Sequence, residues 1–183
     1  VEFMASILTS VMEQPRKVTS YIQRLKSMGI ELLPPDINEG NSGFSVTAAQ
    51  GKKIRYGLTA IKSVGRNMIE QMVREREENG PFRSLTDFCR RMQDSELNKR
   101  ALENLIKAGA FDSLGGSRAQ YIQSYPLIMS AAAQWKKNMM SGQMDLFGIA
   151  EEGTQQADIA DPLPDMEEFP DALRLSYEKE VLG

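Results

Sequence analysis

The residues of this chain with the clearest chemistry are Lys62-Ser63-Val64-Gly65-Arg66-Asn67. An apolar turn from Leu58 to Ile61 runs into them, and an amphipathic helix leaves them. A tight glycine hairpin at a helix N-terminus points backbone N–H groups outward, where they can hold a phosphate. Lys62 and Arg66 flank that point with positive charge. A second, looser version follows at Leu105-Ile106-Lys107-Ala108-Gly109 and closes into a helix near Gly115-Gly116-Ser117-Arg118. The candidate phosphate ligands are therefore Lys62, Ser63, Val64, Gly65, Arg66 and Asn67 in the first copy. In the second they are Lys107, Gly109, Gly115, Ser117 and Arg118. A tandem pair of helix-hairpin-helix elements lets each hairpin grip one strand across a minor groove, positioning a protein without reading sequence. Such contacts release counterions, so binding weakens steeply with salt. The plainer reading is a helical connection in which Gly65 is only a turn residue. A major-groove helix-turn-helix fits less well, because no Arg/Asn/Gln-rich recognition face is present.

A second constellation is Gln143-Met144-Asp145-Leu146-Phe147, between Gly142 and Gly148. Two adjacent large apolar residues at the entrance to an acidic stretch are poorly soluble unless something covers them. Leu146 and Phe147 suit an apolar pocket on a partner, with Gln143 satisfying polar groups at its rim. The alternative is that they dock on this chain's own surface.

Nothing in the sequence supports catalysis. Histidine is absent. Asp36, Asp87, Asp94 and Asp112 are scattered and read as turn or cap residues. No carboxylate pair is placed to hold two metal ions, so no catalytic or metal-binding residue and no cofactor is assigned here. Cys89 reads as a core thiol, and a single cysteine allows no intramolecular disulfide. Trp135 and Tyr125 could stack on bases, but isolated aromatics in helices usually pack.

These residues need elements to hold them. Phe3, Ile7, Leu8 and Val11 recur at helical spacing, and Pro15 opens a second helix with a Val18, Tyr21, Ile22, Leu25 stripe that stops at Gly29. Pro34 and Pro35 make residues 30–36 extended. Residues 43–47 and 53–58 alternate around Gln50-Gly51, which predicts a short hairpin. Met68, Ile69, Met72 and Val73 stripe the helix after the first phosphate grip, and Asn79-Gly80-Pro81 ends it. Ser84, Asn98 and Ser117 read as helix caps. Phe111 and Leu114 are expected to fill the space between the two hairpins, and Pro126 to kink or restart the last of these helices. Residues 148–170 are acidic and lack apolar periodicity, which predicts a flexible linker. A final helix runs from Asp171 to Leu182. The expected fold class is mainly α: a small β-hairpin followed by a tandem helix-hairpin-helix domain, then a largely disordered acidic linker.

The formal charge of −3 conceals a division. Residues 58–140 carry a net +4 and residues 141–183 a net −9. The acidic tail masks a basic segment, so overall charge misrepresents the affinity of the hairpin region for nucleic acid. No apolar run reaches the roughly 20 residues of a membrane span. No signal peptide opens the chain, and it reads as a piece of a longer, cytoplasmic protein with no membrane partner.

Several long strings carry a resemblance. Residues 1–10, 29–38 and 54–65 resemble the bacterial replicative DNA polymerase III alpha subunit family (family C). Leu97-Asn-Lys-Arg through Asp112-Ser-Leu-Gly115 and Leu175 to Gly183 do so as well. The resemblance implies that residues 1–57 are the C-terminal part of the fingers region with its short β-hairpin. It makes residues 58–138 a tandem helix-hairpin-helix DNA-binding domain and 139–170 a linker. Residues 171–183 become the lead-in to a truncated OB domain. It further implies that Gln143, Met144, Asp145, Leu146 and Phe147 are an internal sliding-clamp-binding peptide, with Met144 the departure from the family pattern. The implied partners are double-stranded DNA, the sliding clamp (beta subunit) and the other domains and subunits of the polymerase holoenzyme. The parent would be a DNA-directed DNA polymerase, with Mg²⁺ in an active site upstream of Val1. An interdomain scaffold with little direct DNA contact is the alternative, and a repair or joining enzyme using the same hairpins is a third reading.

Overall fold

The computed structural model describes residues 1–47, 52–141 and 159–183. Helices α1 (Glu2–Val11) and α2 (Pro15–Ser27) pack against each other. Pro15 is at the first helical position, where its missing N–H costs nothing. Gly29 takes φ +66 just beyond the end of α2.

A three-stranded sheet follows, in the order β1 (Glu31–Leu33), β3 (Lys53–Arg55), β2 (Ser45–Val46). The β2–β3 pair is antiparallel, as the alternation predicts. The expected Gln50-Gly51 turn lies outside the described residues. The extended run before Pro34 also joins the sheet, pairing parallel to β3 with Leu32 opposite Ile54. Parallel pairing of residues 22 apart leaves no local pattern to read.

A 3₁₀ turn (Leu58–Ala60) leads through the first hairpin into α3 (Arg66–Asn79). Then come α4 (Leu85–Arg91), α5 (Lys99–Lys107), a 3₁₀ turn (Asp112–Leu114), α6 (Arg118–Met140) and α7 (Asp171–Leu182). All three expected caps form. Ser84 accepts from Asp87 N, Asn98 from Ala101 N, and Ser117 from Gln120 N in a reciprocal capping box. Pro126 does not restart the helix: α6 runs without a break from Arg118 to Met140.

One core runs through the molecule. Phe82, Phe88, Phe111 and Tyr121 form a chain of rings with centroids 5.0, 5.0 and 6.3 Å apart, so Phe111 fills the space between the hairpin units as expected. The core also crosses residue 57. Ile37 and Ile54 are buried in the same cluster as Met68 and Ile69. Arg76 of α3 donates to the carbonyls of Ile37 and Gly40, both at 2.8 Å, and Ile37 N donates to Ala110 O at 3.0 Å. The sheet is thus a wall of the helical module.

Residues 159–170, expected within the flexible linker, are bound across α4 and α6. Asp161 accepts from Leu85 N and Thr86 N at 2.9 and 2.7 Å. Ser84 Oγ donates to the Ile159 carbonyl. Pro164 O receives a hydrogen bond from Gln120 at 2.8 Å, and Leu163 packs on the core. Carboxylates at helix N-termini satisfy amides that have no intrahelical partner. This explains how so acidic a segment is held without an apolar stripe. The expectation for 142–158 lies outside the described residues.

Candidate nucleic-acid interface

The first hairpin is built by burying its shoulders. Ile61 and Val64 are buried, as are Met68 and Ile69 on the first turns of α3. Between them Lys62, Ser63, Gly65, Arg66 and Asn67 are exposed. The sequence places the special backbone conformation at Gly65, but the structure puts it two residues earlier. Ser63 has φ 61, whereas Gly65 has φ −75 and ψ 141, which any residue adopts. What Gly65 contributes is bareness. As N-cap of α3 it offers no side chain to the first-turn amides, and no acidic residue lies in that turn. Arg66 makes no ion pair or hydrogen bond among the described residues.

Lys62 is differently placed. Its N–H donates to Val181 O at 2.9 Å and its ammonium to Glu180 O at 2.6 Å, so it caps the C-terminus of α7. A cation there matches the helix dipole. The Lys62 carbonyl accepts from Asn104 Nδ2 at 2.6 Å. The hairpin is therefore clamped between α7 and α5.

The second hairpin is also tied to α7 but differs in its charges and its helix N-terminus. Arg118, expected as a phosphate ligand, is buried. Its guanidinium donates to Asp112 Oδ2 at 2.9 Å, Glu178 Oε1 at 2.7 Å and the Lys107 carbonyl at 3.2 Å. Burial alone would lower its pKa, but Asp112 and Glu178 outweigh burial and raise it. Lys107 is paired with Glu103 at 3.0 Å and Glu180 at 3.1 Å and lies over the Tyr177 ring. Gly109 has φ +85, and a Cβ there would meet Arg118 Nη2 at 2.3 Å. Gly115 has φ +96 and begins the turn into Ser117, whose side chain caps α6. The remaining N-terminal amides of α6 are also taken. Glu168 Oε2 accepts from Arg118 N at 2.8 Å and Oε1 from Ala119 N at 3.0 Å. Burial would raise the Glu168 pKa, but those donors, Phe169 N and the charge of Arg174 hold it below the ordinary value.

The anion position of the second hairpin is thus filled by the chain's own carboxylate. Asp161 and Glu168 escaped the sequence reading because a helix N-terminus and the acid that covers it lie about 50 to 75 residues apart. The scattered aspartates have structural tasks. Asp36 accepts from Asn38 N, Asp87 from Arg83 N, Asp94 pairs with Lys136, and Asp112 holds Arg118. Trp135 packs under the Arg90 guanidinium, and Tyr125 OH donates to Glu103. Cys89 is buried, and burial pushes its thiol up to about 12. Gln143–Phe147, expected as a clamp-binding peptide, lie outside the described residues.

Residues 29–121, from the sheet to the second hairpin's helix, match a family described as the helix-hairpin-helix motif. The chain belongs to the helix-hairpin-helix family. Over its whole length it is also similar to DNA polymerase III subunit alpha. It is 40% identical over 182 residues to that of Xylella fastidiosa (strain Temecula1). The corresponding values are 38% over 184 residues for Mycobacterium tuberculosis (strain H37Rv) and 39% over 182 residues for Escherichia coli (strain K12). Each alignment covers 100% of this chain and 15% of the relative, so the chain spans about one seventh of the relatives' length. The helix-hairpin-helix match begins at the sheet, in agreement with the continuous core across residue 57. Among the described residues no helix is long and apolar enough to cross a membrane.

Proposed function

We propose that this chain is the duplex-holding region of a bacterial replicative DNA polymerase alpha subunit. Its first hairpin grips the phosphate backbone without reading sequence. The observation that carries this is the open N-terminus of α3: exposed Ser63, Gly65 and Asn67, a capless first turn, and an unpaired Arg66 beside it. Backbone amides supply short-range hydrogen bonds to a phosphate, and Arg66 and Lys62 supply charge. Ser63, Val64, Gly65 and Asn67 shape the cradle. Within the second hairpin, Lys107, Gly109, Gly115, Ser117 and Arg118 serve to build the module, since their charges and N–H groups are already satisfied internally.

Gln143, Met144, Asp145, Leu146 and Phe147 are proposed as the sliding-clamp peptide on the strength of their sequence. Together the two contacts would support processive synthesis, one on the product duplex and one on the ring around it. Nucleotidyl transfer would belong to the remainder of the polymerase. Among the described residues no group of three or more acidic or cysteine side chains could hold its Mg²⁺.

A labelled duplex titrated by anisotropy across a salt series tests the grip. Lys62→Ala with Arg66→Ala should weaken binding and lower the salt slope by about 2, one per lost contact. An unchanged slope would overturn the assignment. Leu146→Ala with Phe147→Ala should abolish binding to the clamp, and retained affinity would place that site elsewhere. The scaffold reading draws on one observation, the capping of α7 by Lys62. Wild-type affinity that does not depend on salt would favour it.

A further inference from the structure

The first hairpin lies along α5. Asn104 meets Lys62 at one end, and at the other a Cβ built on Gly65 would sit 3.8 Å from Glu96 Oε2, just before the helix begins. Four residues before Asn104, on the same face and one turn (about 5.4 Å) nearer the Gly65 end, is Arg100. Arg100 is exposed and makes no ion pair or hydrogen bond among the described residues. Lys99 is equally exposed and equally unpaired, but it occupies the row of Glu103, which faces Lys107 and Tyr125.

We propose that Arg100 is a second phosphate-backbone contact, taking the role that the internally satisfied second hairpin cannot fill. This rests on the first hairpin holding duplex DNA. A strand seated on Gly65 and Arg66 carries further phosphates a few ångströms on, at about 3.4 Å of helix axis per charge on each strand. The flexible guanidinium of Arg100 rises beside that path and can take a phosphate in bidentate fashion. The track is therefore made of one hairpin and one helix face, not of two hairpins.

The test uses the 183-residue chain, a short fluorescein-labelled duplex and anisotropy titrations across a salt series. Four variants are compared with wild type: Arg66→Ala, Arg100→Ala, Arg100→Lys and Lys99→Ala. Arg100→Ala should weaken binding several-fold and lower the salt slope by about 1. Arg100→Lys should keep the slope and Lys99→Ala should leave it unchanged. A lowered slope in Arg66→Ala with none in Arg100→Ala overturns the Arg100 contact and leaves the hairpin reading standing. Equal losses in Lys99→Ala and Arg100→Ala overturn it too, since they would report general charge only. No change in either Arg66→Ala or Arg100→Ala overturns the hairpin reading itself.

Discussion

The two hairpins of this module share a plan and differ in what occupies them. In the first, α3 begins at a bare glycine and Arg66 has no partner among the described residues. In the second, α6 begins at a capping box, Glu168 accepts from two of its amides, and Arg118 is buried among Asp112, Glu178 and the Lys107 carbonyl. The same local geometry, a turn that exposes helix N–H groups, is left without a side-chain cap in one copy and is an internal joint in the other. Two of the three carboxylates that make the difference, Glu168 and Glu178, come from the acidic tail, which thereby becomes part of the fold. A motif match locates amides; whether they are available depends on what the rest of the chain lays over them.

The largest test of the contrast is Arg118→Ala. It strips the counter-charge from Asp112 and Glu178 and leaves a void at Gly109. A loss of about 3 kcal/mol in urea unfolding is expected, with the salt slope of DNA binding unchanged. Next is a matched pair of glycine substitutions. Gly109→Ala forces a Cβ into Arg118 at φ +85 and should cost about 2 kcal/mol or more. Gly65→Ala meets no strain, with Glu96 Oε2 at 3.8 Å as its nearest neighbour, and should leave stability within about 0.5 kcal/mol. The alanine methyl should nevertheless weaken duplex binding by crowding the phosphate. If Gly65→Ala instead destabilised the fold and spared binding, the two hairpins would be structural in the same sense.

Glu168→Gln should cost about 1 kcal/mol at neutral pH, by removing a charged acceptor from the α6 amides. The folded pKa of Glu168 lies below its ordinary value, so its contribution is complete above the ordinary carboxylate range. That contribution is lost as pH falls through the depressed value. The stability gap between wild type and Glu168→Gln, followed by urea unfolding, should accordingly close on acidification. A gap that persists would mean that Glu168 acts by packing alone. The smallest effect is expected for Glu96→Gln. This removes a negative charge beside Gly65 and should tighten duplex binding about two-fold at low salt, with stability unchanged.

Much of this was legible because it is local. Ser84, Asn98 and Ser117 declared their helices, since a cap and the amide it serves are three residues apart. The stripe of Met68, Ile69 and Met72 marked the buried face of α3. Lys62 to Asn67 could be singled out because a turn, a helix start and two cations stand in one run. The parallel pairing of β1 with β3 was not legible, because no register signal links residues 22 apart. Nor was the placement of the left-handed residue. Gly65 is the obvious candidate by type, but burial of Ile61 and Val64 on either side directs the turn so that Ser63 takes it.

What the sequence by itself determined, then, is the set of helices, their caps, and a basic hairpin region followed by an acidic tail. These follow from periodicity, capping chemistry and charge, which act over a few residues. The tertiary structure alone decided which basic residues remain available. Arg66 and Arg118 stand at the same position in their helices, immediately after the N-cap, and only the folded chain tells them apart. Arg118 finds Asp112 and Glu178 within hydrogen-bond distance while Arg66 is left to solvent. The physical reason is that a buried charge must be paired and an exposed one need not be.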